Sequence, residues 1–195
     1  MLHFDHRIVL GSASPRRRDL LARIVSDFTV QPADVEESWP AGLPAAEVAP
    51  FLAEIKADAL FDRLREETIL ITADTVVIHA GEVLGKPADD AEATSMLERL
   101  SGEAHDVVTG VSLGTRRSRR SFSVTTRVVF RPLDAEMIEH SVRTDRPFDK
   151  AGGYGIQEWI GMVGVERIDG DYFNVVGLPL SAVFDALRPW AVRAT

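Results

Sequence analysis

The chain has 195 residues, 45% of them hydrophobic, with a formal net charge of −8 and no cysteine. The length suffices for one large core or two small lobes, and the missing cysteines exclude disulfides and thiolate metal sites. An acidic balance argues against wrapping a nucleic-acid backbone, so phosphate recognition is expected to be local and aimed at a small molecule.

No run reaches the roughly 20 apolar residues of a membrane-spanning helix. The opening "MLHFDHRIVLGS" lacks an export signal's apolar stretch and cleavage site, so a cytoplasmic location without membrane attachment is expected. In chain order, two-residue alternation and β-branched enrichment predict strands near 7–12, 69–72, 75–79, 106–113, 122–130 and 162–168. A 3.6-residue period predicts helices near 15–25, 47–66, 89–100, 134–144 and 179–190. The class is mixed α/β, with antiparallel pairing expected in the later half.

The first strand runs into "VLGSASPRRRDLL", where Ser14 is a good N-cap, Pro15 suits the first turn, and Leu20, Leu21 and Ile24 give an apolar stripe. Arg16, Arg17 and Arg18 then sit at the positive end of the helix, where each cation is unfavourable by roughly 0.3 to 1 kcal/mol unless an anion joins them. A phosphate would. Three consecutive residues fan through about 200° of helix, so at least one, Arg18 by position, is expected to be exposed. A solvated helix face is the plain alternative. Neither a Walker loop nor a GxGxxG fingerprint is present.

The next segment, "DVEESWPAGLPAA" at 34–46, reads as an ordered functional loop or a mobile flap carrying Asp34, Glu36 and Glu37. On the helix that follows, Lys56 has Leu52, Ala59 and Leu60 at helical spacing, so its stem borders the apolar stripe; ordinary snorkelling is the plain alternative. "ILITADTVVI" then places Asp74 inside an apolar run, a costly position without a cation, metal or water. A turn with a local backbone bond competes there with a metal ligand or general base. Lys86 projects from the turn "LGKP", and "TRRSRR" reads as a solvated hairpin tip. In "FDKAGGYGIQ", Gly152, Gly153 and Gly155 allow close backbone approach, Lys150 adds charge, and Gln157 offers a donor and an acceptor suited to a base edge; a plain glycine turn is the alternative. "DGD" at 169–171 reads as a hairpin turn. The five histidines lack zinc-ligand spacing.

Together, "SASPRRRDLL", "ADTVV", "GKP", "LSGEAHDVVTGV", "DKAGGYGIQ" and "DYFNVVGLPL" resemble the Maf family of nucleoside triphosphate pyrophosphatases, in order from about residue 8 to 181. The resemblance implies a single family domain over 1–195: a mixed twisted sheet with flanking helices, two lobes around a nucleotide cleft, akin to inosine triphosphate pyrophosphatases. It implies cleavage between the α and β phosphates of dTTP and UTP, with modified pyrimidine nucleotides as further candidates. By the same resemblance Asp74 is the catalytic carboxylate, and Ser12, Ser14, Arg16, Arg17, Lys56, Lys86 and Lys150 bind the substrate. Glu37 and Asp74 hold a divalent cation, Mg²⁺ or alternatively Mn²⁺, and Arg16, Thr75 and Gln157 set base preference. "ADT" is similar to the dTTP and UTP branch, whereas the 7-methyl-GTP branch carries "SDQ". A departure is "EWIGMVG" after Gln157, where many relatives have a "GxGA" segment, so Trp159 is expected to reshape the cleft floor. The family resemblance is also compatible with a homodimer, and it leaves two alternatives: a pyrophosphatase for 7-methyl-GTP or another modified nucleotide, and, from a link to septum formation, a nucleotide-binding regulator of cell division.

Overall fold

The computed structural model describes residues 1–192. Ile8, Val9 and Leu10 form β1 (Ile8–Leu10), buried along its whole length, as a parallel strand covered on both faces requires. It pairs in parallel with β2 (Thr29–Val30) and with β3 (Ile69–His79), Val9 standing opposite Thr29 on one side and Leu70 on the other. Between them, α1 (Pro15–Leu21) starts where expected, the Ser14 hydroxyl accepting the Arg17 amide at 3.4 Å and Pro15 filling the first position. It ends four residues early. Arg23 and Ile24 bond to carbonyls only three residues back, and Val25 leaves the helix to bridge Leu2.

The helix predicted over 47–66 is α2 (Ala45–Phe61), whose buried stripe includes Leu52, Ala53, Lys56, Ala57 and Leu60. Its end is likewise set by tight turns, Arg63 to Leu60 and Leu64 to Phe61, that redirect the chain into β3. One unbroken 11-residue strand replaces the two short ones expected at 69–72 and 75–79, so Asp74 lies in a strand and the turn reading is overturned. The turn comes later. β4 (Glu82–Leu84) pairs antiparallel with β3, His79 opposite Glu82, leaving Ala80 and Gly81 as a two-residue hairpin with φ of 50° and 84°, the left-handed pair that such a turn demands.

After α3 (Asp90–Leu100), capped by Asp89, come the long strands β5 (Ala104–Gly114) and β6 (Arg119–Phe130). α4 (Ala135–Asp145) is capped by Asp134, which accepts the Met137 amide at 2.8 Å. The segment expected as a strand at 162–168 divides into α5 (Trp159–Gly164) and β7 (Val165–Asp169), because Gly161 lets the helix close onto the Ile156 backbone: a Cβ there would lie 2.3 Å from the Ile156 carbonyl oxygen. "DGD" is not a hairpin. It leads into α6 (Tyr172–Val176), with the Asp171 carboxylate accepting the Phe173 amide. α7 (Leu180–Leu187) passes into a 3₁₀ turn at Arg188–Trp190.

The sheet has seven strands in the order β2-β1-β3-β5-β6-β7, with β4 beside β3. The chain forms two compact units. The first takes residues 1–74, 109–124 and the described chain from 177; the second takes 75–108 and 125–176. In the first, Leu10, Leu21, Ile71, Leu113, Leu178 and Leu187 share a core, and in the second Leu97, Leu100, Val128, Phe130, Tyr154 and Ile160 do. Each fully buried side chain of this kind contributes roughly 1.5 to 3 kcal/mol. Among the described residues, no helix is long and apolar enough to cross a membrane.

Candidate active site

In the first unit, alternation along β3 puts Leu70, Thr72 and Asp74 on one face, where Leu70 packs with Ala57 and Leu60 of α2. The helix comes close because β5 offers a glycine: a Cβ on Gly110 would lie 2.3 Å from the Pro50 backbone nitrogen. Lys56 therefore rises from the buried stripe, and its ammonium donates to Asp74 Oδ1 and, at 2.7 Å, to Glu37 Oε1. The Lys56 and Asp74 side chains are only 9% and 10% exposed, against 41% for Glu37. A buried ion pair adds little net stability over an apolar pair of the same volume. Its presence points to chemistry.

Beside this trio, Ser12 is buried, and its hydroxyl accepts from the Ser14 amide at 3.2 Å and from an Arg17 guanidinium nitrogen at 3.3 Å. Arg17 Nε donates to the Gly177 carbonyl at 2.9 Å, tying α1 to the chain 160 residues on. Burial pushes the Arg17 guanidinium below its ordinary value; Asp74 opposes that shift, Arg16 adds to it, and Glu37 opposes it. The guanidinium thus lies within the field of both carboxylates. Arg16 is half-buried, whereas Arg18 has a 57% exposed side chain paired with Asp19. Six predicted residues, Ser12, Arg16, Arg17, Glu37, Lys56 and Asp74, are thus linked by hydrogen bonds, ion pairs or electrostatic fields, with Ser14 as the helix cap.

The remaining predicted residues lie in the second unit. Thr75 and Gln157 are half-buried, and Lys86 is exposed. The turn before Lys86 is tied to the glycine segment, the Gly152 amide donating to the Gly85 carbonyl at 3.0 Å. Gly152 has φ of 71°, and a Cβ on it would lie 2.9 Å from Val77, so packing already requires a glycine there. Lys150, expected to bind substrate, is 8% exposed and engaged by Asp149 at 2.7 Å and Glu158 at 3.0 Å. Glu158 was not singled out from the sequence; its position beside Gln157 was the one available signal.

A second group escaped the motif reading. His105 is 2% exposed, its Nε2 lies 2.7 Å from the Tyr154 hydroxyl, and the rings of both pack tilted against Phe130. Burial pushes His105 down to about 4, with His79 adding to the shift, and burial raises Tyr154, so both stay neutral at pH 7. The Trp159 ring lies 4.5 Å from His140. The "TRRSRR" arginines, expected to be merely solvated, meet acidic groups at the end of α2: Arg116 with Asp62, Arg117 with Glu66, and Arg119 with Asp58.

Comparison with known proteins places these residues in a family context. The model of the Maf family, described as Maf-like protein, matches residues 7–190. The dTTP/UTP pyrophosphatase of Porphyromonas gingivalis is 45% identical over 186 residues, 94% of each chain. That of Bacteroides fragilis is 46% identical over 184 residues, 94% of this chain and 95% of the relative. Among solved structures, the Ham1 protein of Staphylococcus aureus matches with a TM-score of 0.43 and 20% identity over 64% of this chain and 71% of that one, a likeness too distant to bear on function. On the family match and the two relatives, this chain belongs to the Maf family.

Proposed function

We propose that this chain is a nucleoside triphosphate pyrophosphatase that hydrolyses dTTP and UTP to the monophosphate and pyrophosphate. The observation that carries the reading is the Lys56 ammonium shared between Asp74 and Glu37 in a largely buried setting, in a chain 45% identical over 94% of its length to a dTTP/UTP pyrophosphatase. Phosphoryl transfer asks for positioning and charge stabilisation more than for a covalent nucleophile. Cations beside carboxylates meet that demand.

Arg16, Arg17, Lys56 and Lys86 offset the triphosphate charge in this account. Asp74 accepts the proton of the attacking water as the new oxygen bond to the α-phosphorus forms and the bond to the β-phosphate bridge breaks. Low dielectric around Asp74 and Lys56 strengthens each of these interactions relative to water. Ser12 holds the Arg17 guanidinium in place through the bond described above. Arg16, Thr75 and Gln157 set the base preference.

The donor set also fits Mg²⁺. Two carboxylates that share one ammonium are near enough to each other to share an ion as well, one that takes one or two carboxylates and completes its shell with substrate phosphates and water. Among the described residues, no group of three or more His, Cys, Asp or Glu could hold a metal alone, so substrate phosphate would be part of the site. Glu37 and Asp74 would hold the ion, which when bound polarises the phosphoryl group and neutralises charge.

Asp74→Asn tests the reading. It should reduce pyrophosphate release from dTTP by at least about a thousandfold, far beyond any loss of folded protein seen in the thermal melt, since the Lys56 ammonium keeps Glu37 as a partner. Turnover near that of the unaltered protein would reject Asp74 as the base.

A further inference from the structure

Thr72 is completely buried in β3 and belongs to none of the groups assigned above. Its hydroxyl donates to the Ala53 carbonyl of α2 at 2.7 Å, with the Ser112 carbonyl at 3.4 Å. Its methyl closes against β1: a Cβ on Gly11 would lie 2.7 Å from Thr72 Cγ2, and the Gly11 amide donates to the Ile71 carbonyl at 2.7 Å. Each neighbour adjoins a residue of the charged cluster. Ala53 precedes Lys56 by three positions on one helix face, Thr72 precedes Asp74 by two on one strand face, and Gly11 precedes Ser12. One side chain on the strand that presents Asp74 therefore reaches the two backbone segments that present Lys56 and Ser12.

Apart from the Lys56–Asp74 pair, whose long flexible stem can follow a moving helix, the contacts described between α2 and this face of β3 are apolar, Leu70 with Ala57 and Leu60. Apolar contacts are non-directional and tolerate a small slide or roll of the helix, whereas a hydrogen bond fixes both distance and angle. A displacement of about 1 Å in a reacting group can cost on the order of a hundredfold in rate. We infer that Thr72 is a positioning residue: its hydrogen bond to Ala53 sets the register of α2 on β3 and so seats Lys56 against Asp74. The inference deepens the proposed hydrolase reading and rests on it for its effect on rate.

Thr72→Val keeps the shape and removes the donor, and Thr72→Ser keeps the donor and removes the methyl. For each variant, kcat and KM with dTTP are measured alongside the thermal melt and the rate of reductive methylation at Lys56, followed by peptide mass spectrometry. Thr72→Val should lower kcat about tenfold with KM within about twofold, and Lys56 should react several-fold faster. Thr72→Ser should restore both values to within about twofold of the unaltered protein. The inference is overturned if Thr72→Val retains full kcat and an unchanged Lys56 reactivity, if Thr72→Ser is equally impaired, or if kcat falls only as far as the folded fraction does. Should the unaltered protein release no pyrophosphate, the hydrolase reading fails, and the Lys56 methylation rate alone decides the register: faster in Thr72→Val supports it, unchanged overturns it.

Discussion

Each unit buries a lysine beside two carboxylates, but they differ in the polar groups around it. The first concentrates formal charge around Lys56, Asp74 and Arg17, bordered by the exposed Glu37. The second keeps its deepest titratable pair, His105 and Tyr154, neutral and packed against Phe130, and places its one buried cation, Lys150, between two carboxylates. Neutral hydrogen-bonded groups specify a core at modest cost, whereas desolvated charges cost several kcal/mol each and return little net stability. On the proposed reading, the charge gathered around Lys56 is placed for what it does to a ligand, and the neutral His105–Tyr154 pair for what it does to packing. Substitutions should separate accordingly, into losses of turnover and losses of stability.

The largest separation is expected at Lys56. Lys56→Met should lower kcat/KM on dTTP by about a hundredfold or more and, by stranding Asp74, destabilise the fold by about 3 kcal/mol. Adding Asp74→Asn to that variant should recover most of the stability while activity stays lost, which urea melts and pyrophosphate assays on the same preparations would check. Equal stability of the single and double variants would show that the pair is solvated enough to be energetically idle.

His105 should behave in the opposite sense, through stability alone. Its folded value lies at about 4 against an ordinary 6.5, so between those values the unfolded chain binds a proton that the folded chain refuses. Its contribution is fully present above about pH 6.5 and is lost as pH falls towards 4, a total on the order of 3 kcal/mol. Urea melts of the unaltered protein and of His105→Phe should converge by about that amount between pH 7 and pH 4. A pH-independent gap would place the imidazole in contact with water. The smallest effect is expected at the hairpin: Arg117, 79% exposed in its pair with Glu66, should tolerate alanine within about 0.5 kcal/mol with turnover unchanged.

Much of the charged cluster was legible in the sequence because a carboxylate in the apolar run "ILITADTVVI" must have a partner, and Lys56 had the helical phase to supply one. Ser14 and Pro15 marked the start of α1 for local reasons, and its cap formed as read. What the sequence concealed was non-local. The end of α1 depends on Val25 bridging Leu2, and that of α2 on turns leading into a strand. The partners of Lys150 were hidden too, since nothing in its spacing showed that Glu158 would fold back onto it. The same holds for the hairpin arginines, whose acidic partners lie more than 50 residues earlier. Asp169–Asp171 had the composition of a hairpin turn, but Asp171 instead caps a helix and bonds through its backbone to Thr126.

The proposed activity is defined by which bond is broken and in which nucleotides. The most direct measurement supplies dTTP, UTP, CTP, 5-methyl-UTP and 7-methyl-GTP with Mg²⁺ and identifies every product. It should find monophosphate and pyrophosphate in equal amounts, with dTTP and UTP turned over at least about tenfold faster than 7-methyl-GTP, a gap of roughly 1.4 kcal/mol. Diphosphate with free phosphate, a preference for 7-methyl-GTP, or tight binding without turnover would contradict it.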